Sequence, residues 1–207
     1  MMTERRAMID MNLFGDLMIT ALYTAFFQNL VLSFAYGSSE AVRISLKPRT
    51  FGMFTAMISG FAVISAAICR PVDRLPSVIA LPDSVHALVY AAVLAGVYIV
   101  TAILLKAIFR VSDHFLTNLG IAALNTLVLA IPFINRRSAY SLAASLGSGL
   151  GAGVAFVVAA ALLASGVHRM SENKEIPQVF KGTPVMFLYI SLLSLGFAAF
   201  SGNSVFS

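Results

Sequence analysis

Six long apolar runs alternate with short polar connections along the chain, at residues 17–36, 51–69, 85–109, 115–134, 139–167 and 184–200. A helix of about 20 apolar residues crosses roughly 30 Å of hydrocarbon, and lipid offers an unpaired backbone no partner. Each run therefore predicts one membrane-spanning helix. Arg70 and Pro71 stop the second run, and Arg136 and Arg137 stop the fourth, whose Pro132 comes late enough to break only the last turn. The fifth run is uncharged over 29 residues, so its helix must tilt, bend or extend past the bilayer. The connections, 40–50, 70–83, 110–114, 135–138 and 168–181, are too short to hold a catalytic domain.

The centres of runs one and four, two and five, and three and six are each separated by roughly 95 residues. Three helices per half leave the halves oppositely oriented, so the expected fold is all-α and integral to the membrane, with six transmembrane helices in an inverted 3+3 repeat. The whole chain, 1–207, is expected to form a single membrane domain.

Composition agrees with the pattern. Hydrophobic residues make up 59% of the chain and charged residues 11%, against about 45–50% and 25% in soluble proteins. The net charge of +5 does not point to nucleic acid, because Lys and Arg occur singly or in pairs between the apolar runs. Arg5 and Arg6 precede the first run, but no small-residue cleavage site follows, so the run is expected to be retained. With a cytoplasmic N-terminus, the inner loops would carry six basic residues (Arg5, Arg6, Arg70, Arg74, Arg136, Arg137). The outer loops would carry eight (Arg43, Lys47, Arg49, Lys106, Arg110, Arg169, Lys174, Lys181). The positive-inside rule therefore favours both termini outside.

Candidate chemistry lies where polar residues interrupt apolar runs, since such residues are costly in lipid. Gln28 and Asn29 occupy the middle of run one, and Asn125 and Thr126 the middle of run four. They serve either as hydrogen bonds between helices or as two faces of a midplane site. Gly37, Ser38 and Ser39 then interrupt run one, and Glu40 and Arg43 follow at i,i+3 spacing. That pair is surface charge if it lies at the interface, and lines a polar cavity if the segment turns back into the membrane. In run five, Gly147, Gly149, Gly151 and Gly153 give overlapping GxxxG spacings that predict close helix packing. The same stretch to Ala152 matches GxGxxA, with Glu172 20 residues on, but it lacks the flanking strand of a dinucleotide site.

The histidines, His86, His114 and His168, fall at run ends without metal-ligand spacing and are expected at the interface. The single cysteine, Cys69, excludes an internal disulfide and any CxxC site, and reads as a small apolar filler or a reactive thiol beside Arg70. No GxSxG, HExxH or P-loop occurs, so the sequence offers no self-contained hydrolase or ATPase.

Four stretches carry a family resemblance: QNLVLSFAYGSS at 28–39, SAAIC at 65–69, NTLVLAIPFIN at 125–135 and FKGTPVMFLYISLLSLGFAAFSG at 180–202. Together they resemble the Rnf and Nqr membrane-subunit family, its A and E members in Rnf and its D and E members in Nqr. The resemblance implies six helices in an inverted repeat and a place in an electron-transport complex that couples electron transfer to ion translocation. It implies partner membrane subunits, including a paralogue paired in opposite orientation, in the lipid bilayer of the inner (cytoplasmic) membrane. It also implies two cysteines per subunit, which with the paralogue's hold a two-iron, two-sulfur cluster near the midplane. Here those positions fall at Ser39 and Thr126, and a cluster requires thiolates. The chain is thus expected to hold no cofactor, no cluster and no catalytic residues of its own. The alternative reading is a stand-alone inverted-repeat transporter of a small solute or ion, with Ser39, Glu40, Arg43 and Thr126 lining its cavity.

Overall fold

The computed structural model describes residues 2–200, and every described segment of regular structure is helical. In chain order they are α1 (Met2–Leu22), continued by a π-helical turn (Tyr23–Phe27), α2 (Leu30–Phe34), α3 (Ser38–Ser45), α4 (Phe51–Asp73) and α5 (Pro76–Ile79). Then follow α6 (Asp83–Phe109), α7 (Asp113–Ala123), α8 (Thr126–Arg137), α9 (Leu142–Glu172) and α10 (Thr183–Phe200). Four spans among the described residues are long and apolar enough to cross a membrane: α4, α6, α7 with α8 (Asp113–Arg137), and Leu142–Met170 of α9. Shorter apolar helices occupy Asn12–Phe27 and Pro184–Ala199. The last two residues of the 180–202 stretch, and the polar tail after it, lie outside the described residues.

Small residues decide the packing. One face of α9 presents Gly147 and Gly151 to the backbone of α1 at Leu17 and Ala21, and another presents Gly149 and Gly153 to α4 at Ala62 and Ser59. A methyl at Gly149 would come within 2.8 Å of the Ala62 carbonyl oxygen, so close backbone approach requires the missing side chain. The GSGLGA stretch lies inside this continuous 31-residue helix, with no strand before it. The helix also runs past the uncharged stretch to Glu172.

Helices α4 and α8 run parallel in fixed register. Ser65 Oγ donates to the Val128 carbonyl at 2.9 Å and Arg136 Nη1 donates to Asp73 Oδ1 at 2.9 Å, both across 63 residues. The first bond explains why Pro132, expected to break the last turn, sits inside an α8 that continues to Arg137. A proline at 132 removes the N–H that would bond the carbonyl of residue 128, and the Ser65 hydroxyl takes its place.

Runs one and four, each read as a single helix, are both interrupted. After Phe27 the chain leaves the helix at Gln28, and Ala35 (φ 59°) and Gly37 (φ 74°) enter the left-handed region. Leu124 and Asn125 likewise separate α7 from α8. At the edge of the bundle, the outer faces of α6 and α10 expose apolar surface, with Leu88 at 71% and Leu192 at 68% exposure.

Candidate functional site

Each interruption is built by an asparagine. Buried Asn29 adopts an extended backbone (ψ 102°), and its Oδ1 accepts from the Val31 and Leu32 amides at 3.1 and 3.0 Å, starting α2. Asn125 (ψ 142°) does the same for α8, accepting from the Leu127 amide at 2.8 Å. In lipid the first amides of a helix have no water to bond, so an amide side chain supplies the acceptor. Asn29 Nδ2 also donates to the Ala155 carbonyl at 3.4 Å, which ties the first break to α9.

The two breaks touch. The Gly37 amide donates to Thr126 Oγ1 at 2.8 Å, across 89 residues. A Cβ at Gly37 would lie 2.9 Å from Asn125 Oδ1 and 3.1 Å from Leu127 Cβ, so the contact excludes a side chain there. The 63-residue offset between α4 and α8 sets Thr126 level with Val63, one residue from the middle of Phe51–Asp73. The meeting point is at mid-depth of that span.

An open groove of about 570 Å³ lies beside this contact, and Ser39, Glu40, Thr117, Asn125, Thr126 and Tyr98 supply its polar lining. Ser39 and Thr126 are exposed to it while Glu40 is half-buried. On the other side of Thr126 a more apolar groove of about 400 Å³ follows α8 past Leu129 and Phe133 to Arg137. The structure therefore gathers Ser39, Glu40, Asn125 and Thr126. It places Gln28 apart, in a pocket of about 190 Å³ with Tyr36, Arg137 and Ser138.

Glu40 and Arg43 form an ion pair at 2.6 Å, with 18% and 39% of their side chains exposed, so the pair is neither plain surface charge nor fully buried. The Arg43 guanidinium, bonded to Glu40, also stacks 4.6 Å from the centre of the Phe54 ring and lines a small cavity with Lys47 and His114. The groove thus presents hydroxyl and amide oxygens and the Arg43-paired Glu40 carboxylate, the oxygen donor types that hard cations and water take. It does not suit an iron-sulfur cluster, which needs thiolates. Cys69 is fully buried on α4 outside the groove, and among the described residues no group of three His, Cys, Asp or Glu could hold a metal.

A second polar centre gives little sign of itself in the sequence. Asp73, 5% exposed, receives Tyr90 Oη at 2.8 Å, Arg136 Nη1 at 2.9 Å and Arg70 Nη1 at 3.2 Å. His86 Nε2 stands 3.6 Å away, and its ring, in the first turn of α6, is fully buried. His114 and His168 are exposed. The i,i+3 spacing of Arg70 and Asp73 is the available clue, but both resemble loop charge after a stop.

The helices and the break contact define a polytopic α-helical membrane protein with two discontinuous helices meeting at mid-depth. Comparison of the chain with protein families matches the model described as "Rnf-Nqr subunit, membrane protein" over residues 17–203. The chain belongs to the Rnf-Nqr family. Similar proteins include the E subunit of the Na(+)-translocating NADH-quinone reductase of Pasteurella multocida (strain Pm70), 28% identical over 193 residues. That alignment covers 86% of this chain and 93% of the relative. Two Histophilus somni proteins of the same name, from strains 2336 and 129Pt, are 27% identical with the same coverage.

Proposed function

We propose that this chain is a membrane subunit of an Rnf/Nqr-type complex that couples electron transfer to ion translocation, and that it performs no catalysis alone. The observation that carries the reading is the Gly37–Thr126 contact, which joins two helix breaks at mid-depth beside an oxygen-lined groove. Discontinuous helices at the centre of a span are the usual setting of an ion path, because irregular backbone is tolerated there only in protein or beside water. In this reading Ser39, Glu40 and Thr126 face the ion, while Asn29 and Asn125 hold the half-helices in place.

The proposal extends to six spans in a 3+3 inverted repeat. It is supported by the interrupted helices, one near residue 28 and one near 125, and by the short apolar helices that would complete the count. The apolar exposed faces of α6 and α10 support contact with lipid and with other membrane subunits, a paralogue in opposite orientation among them. The proposed location is the cytoplasmic membrane, and the eight-to-six basic count supports both termini outside. No iron-sulfur cluster is proposed for this chain, on the strength of its single cysteine.

A stand-alone transporter is the second reading, favoured by the same groove because Glu40 and two hydroxyls could line a solute cavity. Affinity purification from native membranes in mild detergent separates the two. Co-purification of electron-carrying subunits, flavin-bearing or ferredoxin-like, is the expected result. A chain that purifies alone and moves a solute in liposomes overturns the complex-subunit reading.

A further inference from the structure

At the end of the bundle where α4, α6 and α8 meet, and along the first turns of α9, five buried side chains carry polar atoms with no hydrogen-bond partner. They are Arg70 Nε, His86 Nε2, both amide atoms of Asn135, and the hydroxyls of Ser145 and Ser148. His86, Ser145 and Ser148 are 0% exposed and Asn135 is 1% exposed. Folded proteins pair the large majority of such side-chain groups, with protein or ordered water, because a dry orphan costs its full desolvation penalty.

These groups descend in order. The fixed register of α4 and α8 sets Asn135 level with Val72, beside Arg70 and Asp73. Helix α9 runs the opposite way, with Gly149 against Ala62, Val63 and Ala66 and Gly153 against Ser59, so Ser145 lies deeper than Asn135 and Ser148 deeper again. At 1.5 Å per residue, Ser148 is roughly 12 Å below Asp73 and close to the level of the Thr126 break. Helices α4, α8 and α9 pack on one another, and the two serines fall between the glycine rows that α9 turns to α1 and to α4. On α4, Ser65, Cys69 and Asp73 form one i,i+4,i+8 stripe whose ends both bond α8, which places the fully buried Cys69 beside the same strip.

At the top of the strip His86 has one ring nitrogen bonded and one unbonded. His86 Nδ1 is 3.0 Å from the Pro82 carbonyl, which can only accept, so Nδ1 carries the proton. That leaves Nε2 facing Asp73 Oδ1 at 3.6 Å, too far for a direct hydrogen bond, so its lone pair is open only to a water beside the pair. Arg70 and Arg136 are paired here with Asp73 and Asp83, the latter 3.4 Å from Arg136 Nε, while Arg74 and Arg137 adjoin them in sequence.

We propose that these atoms line a water-filled passage that enters beside Asp73 and His86 and reaches the Asn125–Thr126 break. The passage gives the mid-depth groove aqueous access from one membrane face. Its purpose rests on the ion-translocation reading above, whereas its hydration does not.

Radiolytic hydroxyl-radical labelling of the full chain in lipid nanodiscs, read by mass spectrometry and corrected for intrinsic side-chain reactivity, tests it. Radicals generated from a bound water oxidise its neighbour even where bulk solvent cannot reach. In the native chain Cys69 is expected to label about tenfold faster than Phe156, although both are 0% exposed. Ser148→Cys is expected to exceed Ala152→Cys, one turn deeper and equally buried, by about the same factor. Equal rates within both pairs mean a dry strip and overturn the proposal. Fast labelling with ion pumping unchanged by Thr126→Val instead removes the translocation reading and leaves the passage standing.

Discussion

Replacing Gly37 by alanine tests the contact between the two helix breaks, and the structure supplies the size of the effect. A left-handed backbone costs an alanine about 1–2 kcal/mol. This chain already carries that cost at Ala35 (φ 59°) and Ala139 (φ 50°), so backbone strain alone does not demand glycine. The added methyl would stand 2.9 Å from Asn125 Oδ1, the atom that caps α8, and 3.1 Å from Leu127 Cβ. Relieving such overpacking in a fixed core costs about 1–3 kcal/mol more. Gly182 provides the control, with φ 89° and nothing within 4 Å of an added Cβ. Gly182→Ala should lose only the strain, about 1–2 kcal/mol, and Gly37→Ala should lose about 2–5 kcal/mol. The chain contains no tryptophan, so equilibrium unfolding in mixed micelles is best followed by far-ultraviolet circular dichroism. Equal losses in the two variants would show that the breaks do not press on each other, and the mid-depth site would lose its foundation.

Ser65→Ala leaves the Val128 carbonyl unpaired in the bundle and should cost about 1–2 kcal/mol. Pro132→Ala restores the missing backbone donor, so the double variant should recover most of that loss, and additive losses in a double-mutant cycle would refute the pairing. Asp73→Asn removes the charge that Arg70 and Arg136 share and should destabilise by about 2–4 kcal/mol, toward the lower end because Arg136 keeps Asp83. Asp83→Asn, at a side chain 77% exposed, should change unfolding by less than about 1 kcal/mol; a loss matching that of Asp73→Asn would mean the buried carboxylate is not the hub.

The apolar runs are legible because composition in lipid is nearly decisive. The interruptions are half legible. Asn29 and Asn125 stand out as polar, yet a capping amide and a ligand-binding amide look alike until the backbone leaves the helix. Their roles separate only with the ψ angles of 102° and 142° and the amides they accept. Thr126 shows the opposite ambiguity, since its partner is the amide of a residue 89 positions away. Pro132 misleads for a similar reason, because the hydroxyl that repairs its helix belongs to α4. Asp73 escapes notice because its burial depends on Tyr90 and Arg136, and nothing local to Arg70–Asp73 announces them.

The double face of α9 also bears on how the chain is made. Helix α9 supplies the most extensive packing of both α1 and α4, yet it emerges from the ribosome after all the elements up to α8. In a bilayer, insertion and packing are separate stages, and the second waits for a partner of matching shape. A chain cut after Ser141 would still insert its apolar runs. The surfaces of α1 and α4 that receive the glycines would remain turned to lipid, open to any small-residue helix nearby. Biosynthesis therefore leaves the N-terminal half threaded but unassembled until its fifth apolar run arrives to close it.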